Sequence, residues 1–135
     1  MTFDLRPIGL VESTLRDLQD APPQGDEGVP EAWLVIEPRV ADGLEGLAVG
    51  DRVVVLTWLD RGNRTVLRTH PRGDLTRPEQ GVFATRSPDR PNPIGLHEVT
   101  VLSIDGLRIR VDHLEALDGT PVVDLKPVLG GVDER

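Results

Sequence analysis

Twelve prolines and fourteen glycines punctuate this chain, and they limit it to short regular segments joined by stiff or tightly turned loops. The densest punctuation falls at Ala21-Pro-Pro-Gln-Gly25 and across residues 86–95. Between these marks the runs 8–11, 32–36, 52–59, 82–85, 99–104, 107–111 and 122–125 are rich in β-branched and aliphatic residues, which predicts strands. Asp105-Gly106 separates two alternating apolar runs, the signal of a tight hairpin. Helical spacing is found only over 42–49, where Leu44, Leu47 and Ala48 repeat but Gly43 and Gly46 weaken the propensity. The expected fold class is therefore all-β and mainly antiparallel, a barrel or sandwich with one or two short helices.

At 135 residues the chain is the size of a single domain, 1–135, able to bury a core without cross-links. It has no cysteine, which excludes a disulfide framework and a thiolate metal site. The N-terminus lacks a basic region followed by a long apolar run, and no apolar stretch is long enough to span a membrane. A cytoplasmic protein without membrane contact is the simplest reading.

A net charge of −8 argues against a general nucleic-acid binder, but the charge is unevenly spread. Residues 1–60 hold 4 basic and 12 acidic side chains, 61–90 hold 7 and 3, and 91–135 hold 4 and 8. All seven basic residues of the middle segment are arginines: Arg61, Arg64, Arg68, Arg72, Arg77, Arg86 and Arg90. Arginine suits bidentate phosphate or carboxylate recognition, although a solvated loop would explain the same run.

Most catalytic vocabularies are missing. GLEGLAVG at 43–50 is neither a dinucleotide fingerprint nor a phosphate loop with its lysine. His70, His97 and His113 are too dispersed to form a metal pair, and no nucleophile elbow occurs, so no metal is expected. Aromatic residues make up 3%, too few for a binder of single strands built on stacking platforms.

Two segments stand out. In 81–96, Pro88, Pro91 and Pro93 hold their predecessors extended, making a stiff loop that presents Arg86, Arg90 and Asn92. Stiffness reduces the entropy lost when such side chains are oriented toward a ligand. In 117–127, Asp124 and Lys126 are two residues apart on an extended strand and so share a face. They could orient a substrate or form an ordinary exposed ion pair.

Together, GVFATRSPDRPNPIGL at 81–96 and LDGTPVVDLKP at 117–127 resemble the two signature blocks of the TrmO (TsaA-like) family, and IGLVES at 8–13 resembles its first strand. The similarity runs over about residues 3–129. It implies a single antiparallel barrel closed or nearly closed, S-adenosyl-L-methionine as methyl donor, a homodimer, and a tRNA adenosine carrying a threonylcarbamoyl group as acceptor. It further implies donor contacts at Pro22, Pro23, Gln24, Leu59, Asp60, Arg86, Leu96, His113, Leu114, Glu115 and Ala116. Methyl transfer from a sulfonium needs in-line alignment and a deprotonated or polarised acceptor nitrogen. Asp124 is the candidate base, with Lys126 fixing it and Arg90 and Asn92 holding the acceptor.

Three departures bear on that transfer. Leu59-Asp60 stands where the family often has His-Gln, and Val128 replaces an aromatic residue. Many bacterial members add a C-terminal domain that helps engage tRNA, and this sequence ends eight residues after Pro127. A donor-binding sensor without transfer and a methyltransferase acting on another substrate are the alternatives. Retention of Arg90, Asn92, Asp124 and Lys126 favours transfer, since a sensor needs only the donor loops.

Overall fold

The structure, a computed structural model, describes residues 1–14 and 31–130. Its strands are β1 (Gly9–Glu12), β2 (Ala32–Ile36), β3 (Arg52–Trp58), β4 (Arg68–Thr69), β5 (Gln80–Gly81), β6 (Ile94–Asp105), β7 (Arg108–Val111) and β8 (Pro121–Pro127). Six of these described strands close a barrel in the order β1-β2-β7-β6-β3-β8, while β4 and β5 pair separately. β1 runs antiparallel to both β2 and β8, and β7 antiparallel to both β2 and β6, so the all-β, mainly antiparallel class holds.

Alternation explains why these runs face as they do. Along β2, Ala32, Leu34 and Ile36 are buried, and along β3 so are Val53, Val55 and Thr57; the residues between them lean outward. Val11, Val99, Val101, Ile109, Val111, Leu114, Ala116 and Val122 complete the core among the described residues. Burying a side chain of this size contributes roughly 1.5–3 kcal/mol. On the outer face Arg108 stacks over Trp33, 4.7 Å from its ring centre, and pairs with Glu12, while Arg110 pairs with Glu31 at 2.6 Å.

Gly9 lets β1 approach β2. A Cβ built there would lie 2.3 Å from the Val35 carbonyl oxygen. Gly9→Ala is expected to destabilise the protein by about 1–3 kcal/mol, read as a lower urea midpoint without loss of the folded baseline.

Three local expectations are corrected. The run 82–85 is not a strand: Val82–Ala84 forms a 3₁₀ turn, closed by Thr85, whose amide and hydroxyl both donate to the Val82 carbonyl at 3.0 and 2.9 Å. The segment 42–49 is not an α-helix. A 3₁₀ stretch covers Pro38–Leu44, and Gly46 and Gly50, at φ +92° and +95°, turn the chain out of it. The hairpin exists, but Asp105 pairs with Arg108, so Gly106 and Leu107 form its loop. Gly106 at φ +60° takes the first loop position, which is the type II′ pattern and not Asp-Gly at both centres.

The chain comprises two compact units, Met1–Thr57 with Leu96–Arg135, and Trp58–Gly95. The first carries the barrel core and the second carries β4, β5 and the proline-rich loop. Among the described residues no helix is long and apolar enough to cross a membrane.

Candidate functional site

In the unit 58–95 the proline-rich loop is braced from inside. The Leu59 amide donates to the Pro93 carbonyl at 2.7 Å, and the Gly62 amide to the Leu59 carbonyl at 2.8 Å. The Asn63 amide donates to Asp89 Oδ1 at 2.9 Å. Arg64 donates through Nε to the Pro91 carbonyl at 2.7 Å and through a terminal nitrogen to Asn92 Oδ1 at 3.0 Å, with its guanidinium 5.2 Å from the Trp58 ring centre. Arg90 turns back into its own loop and donates to the carbonyls of Thr85, Ser87 and Val82 at 3.0, 3.0 and 2.7 Å. Arg86 is exposed, as are Asn92 and Asp60, and Leu59 is partly buried. The prolines set the backbone, and two arginines bond carbonyls of the loop and of the 3₁₀ turn that precedes it.

Gly62 is where this brace is tightest: a Cβ there would lie 2.3 Å from the Pro88 carbonyl oxygen and 2.9 Å from Pro93 Cβ. Gly62→Ala is expected to loosen the loop. The measurable sign is faster tryptic cleavage after Arg86, with far-ultraviolet circular dichroism of the barrel unchanged.

In the barrel unit, β8 carries Asp124 and Lys126 beside an irregularity. Leu56 pairs with Asp124 but Thr57 pairs with Val122, so Val123 is left without a partner on β3. Such bulges re-aim the side chains next to them. Lys126 Nζ lies 3.3 Å from Asp124 Oδ2, and Asp124 Oδ1 accepts the Leu125 amide at 2.9 Å. Lys126 also borders a groove with Leu44, Leu47, Asp51, Arg52 and Val53.

The segment 113–116 splits into two kinds of residue. Leu114 and Ala116 are buried in the core, so only their backbone is available to a ligand. His113 holds a left-handed backbone at φ +52°, which is uncommon outside glycine, and its Nδ1 lies 3.2 Å from Asp112 Oδ2. Burial pushes the Asp112 carboxyl up, but the Thr100 amide, donating at 2.7 Å, and His113 outweigh it and hold the carboxyl below its usual range. Glu115 Oε1 is buried with no hydrogen-bond partner among the described residues. A carboxylate oxygen in that position is an acceptor awaiting a donor, because leaving it unpaired costs free energy.

Asp112, His113, Thr100, Arg52 and Glu98 together line a cleft. Leu96 on β6 is half exposed. Its neighbour His97 points inward to Thr57, with Nε2 3.0 Å from Thr57 Oγ1, and burial pushes its imidazole down to about 4.

Thus Asp124 meets Lys126, and His113 to Ala116 form one segment beside Asp112, all in the barrel unit. Leu59, Asp60, Arg86, Arg90 and Asn92 belong to the other unit. Pro22, Pro23 and Gln24 lie outside the described residues. Sequence reasoning missed the bracing role of Arg64, Asp112 and the Thr57–His97 pair. A threonine inside an otherwise valine-only inward row on β3 was the available signal for the last of these.

The family model of the tRNA-methyltransferase O N-terminal domain matches residues 10–134. A probable S-adenosyl-L-methionine-binding protein of Methanothermobacter thermautotrophicus is 43% identical over 133 residues, covering 98% of this chain and 95% of that protein. One from Archaeoglobus fulgidus is 44% identical over 98% of this chain, but the match spans only 36% of that relative. The crystal structure of TrmO from Pseudomonas aeruginosa superposes with a TM-score of 0.76 at 28% identity, over all of this chain and 60% of the other.

Proposed function

Because the chain belongs to the family of tRNA-methyltransferase O N-terminal domains, we propose that it binds S-adenosyl-L-methionine and transfers its methyl group to the threonylcarbamoyl-bearing adenosine beside a tRNA anticodon. The observation that carries donor binding is the unpartnered, buried Glu115 Oε1. It fits a ligand that brings an ammonium or hydroxyl donor, and S-adenosyl-L-methionine carries both. The donor residues are those the family resemblance assigns: Pro22, Pro23, Gln24, Leu59, Asp60, Arg86, Leu96 and His113 to Ala116. Leu114 and Ala116 act through backbone groups. When bound, the donor supplies an electrophilic methyl on sulfur.

Asp124 accepts the proton of the acceptor nitrogen, and Lys126, 3.3 Å away, fixes the carboxylate and its charge. Asn92 meets the acceptor, and Arg90 works through the loop carbonyls it bonds. The unit 58–95 carries seven arginines against four carboxylates in a chain of net charge −8, which supports this segment as the phosphate-facing surface for tRNA. A homodimer of one functional domain per chain, acting in the cytoplasm, completes the reading. Leu67, Leu75 and Phe83 are 62, 79 and 82% exposed on that unit in the single chain, and apolar groups of that size favour burial against a second copy.

Glu115→Gln keeps the size of the side chain but removes its charge. It is expected to raise the donor Kd roughly tenfold or more, measured by calorimetric titration.

A second reading is a donor sensor without transfer, favoured by relatives whose names speak of binding alone. Methyl incorporation from labelled donor into tRNA with and without the threonylcarbamoyl group separates the two. Incorporation into modified tRNA alone is the expected result. Donor binding with no incorporation into either tRNA supports the sensor.

A further inference from the structure

The inward row of β3 reads Val53, Val55, Thr57, and that of β6, followed back toward its start, reads Val101, Val99, His97. Both rows are apolar until they reach Thr57 and His97. Thr57 is fully buried, and its hydroxyl lies 3.0 Å from His97 Nε2. Valine would fill the threonine's volume without a polar group to satisfy, so a buried hydroxyl facing a half-buried imidazole is a specific arrangement.

Its place in the chain is equally specific. The barrel unit gives way to the segment Trp58–Gly95 directly after Thr57 and resumes at Leu96, one residue before His97. The pair therefore ties the two ends of that segment. Beyond it, the first tie within the segment is the Leu59 amide on the Pro93 carbonyl at 2.7 Å, followed by Gly62 packed against Pro88 and Pro93.

We infer that Thr57 and His97 are positioning residues that hold the ends of the segment 58–95 at a fixed separation and so set the loop bearing Arg86, Arg90 and Asn92. Neither touches a reacting group. The activity arm of the test rests on the methyl-transfer reading; the exchange arm does not.

The experiment compares full-length wild type with Thr57→Val, Thr57→Ser and His97→Gln by amide hydrogen exchange. Losing one net hydrogen bond should speed exchange of the Leu59 amide about tenfold in Thr57→Val. The Val11 and Ile36 amides, bonded to the Thr120 and Leu107 carbonyls elsewhere in the barrel unit, should stay within about twofold. Thr57→Ser and His97→Gln, which keep a polar partner, should leave Leu59 protected. Methyl transfer by Thr57→Val should fall about tenfold in kcat with donor Kd unchanged, and Thr57→Ser should restore it. Unaltered Leu59 protection in Thr57→Val, or equal acceleration at all three amides, overturns the inference, since the second pattern is what a merely structural bond gives. If Thr57→Val fails to fold, His97→Leu, which removes the polar partner from the other side, takes its place: faster Leu59 exchange with Val11 and Ile36 still protected supports the pair, and uniform acceleration overturns it. Wild type that transfers no methyl to either tRNA overturns the methyl-transfer reading, and the exchange arm still decides the pair.

Discussion

Asp124→Asn is expected to lower methyl transfer by about 100- to 10,000-fold while leaving donor affinity within about twofold. The substitution is nearly isosteric, and the amide oxygen can still accept the Leu125 amide that Asp124 Oδ1 holds at 2.9 Å, so β8 keeps its course past the bulge at Val123. What is lost is the proton acceptor and the charge facing Lys126. That ion pair is largely solvent-exposed, so its removal should change folding stability by no more than about 1 kcal/mol. A loss of rate with an unchanged unfolding midpoint would therefore belong to chemistry. Single-turnover incorporation from labelled donor, together with a donor titration, separates the two quantities. A variant that transfers methyl at the wild-type rate removes Asp124 from the role of base. In that event the Asp112–His113 pair, 3.2 Å apart in the cleft with Arg52, is the next proton acceptor to substitute.

The barrel was legible where side chains alternate along one strand. Residues 32–36 were assigned without error, and 52–59 and 107–111 to within one residue, because a period of two with one face buried leaves a strand little freedom. The circular order β1-β2-β7-β6-β3-β8 was not legible, since it depends on which edges meet across long separations. The run 82–85 misled for a related reason: Val-Phe-Ala-Thr has strand composition, but Phe83 is 82% exposed and the backbone is closed by local bonds to the Val82 carbonyl.

The same division holds for the candidate site. Asp124 and Lys126 were paired correctly because they lie two residues apart on one strand. Thr57 and His97 are forty residues apart and meet only through the fold. Glu115 stood out only through the family resemblance; its buried, unpartnered oxygen is a property of the surroundings, as is the stacking of Arg64 on Trp58. The proline-rich loop was expected to be stiff from its prolines alone; the bonds from Arg90 and Arg64 to its carbonyls are a further brace that the sequence did not show.

Acid should weaken the fold through His97 well before it reaches the range of the carboxylates. Burial depresses the folded imidazole to about 4 from an ordinary 6.5, so between these values the unfolded chain binds a proton that the native protein refuses. Stability then rises with pH across this window. The contribution is fully present above about pH 6.5 and is lost progressively as the pH falls toward 4, reaching at most about 3 kcal/mol. Asp112 acts in a lower window. Its depressed carboxyl stabilises the fold above its ordinary value of 3.8 and loses that effect only as the pH falls further. Urea midpoints at pH 7, 5.5 and 4.5 should therefore fall steeply for wild type and more gently for His97→Gln, which has nothing to titrate there. The wild type should lose ground to the glutamine variant as the pH falls, because only the imidazole has a charged form that burial disfavours. Parallel curves would place the acid sensitivity on groups other than His97.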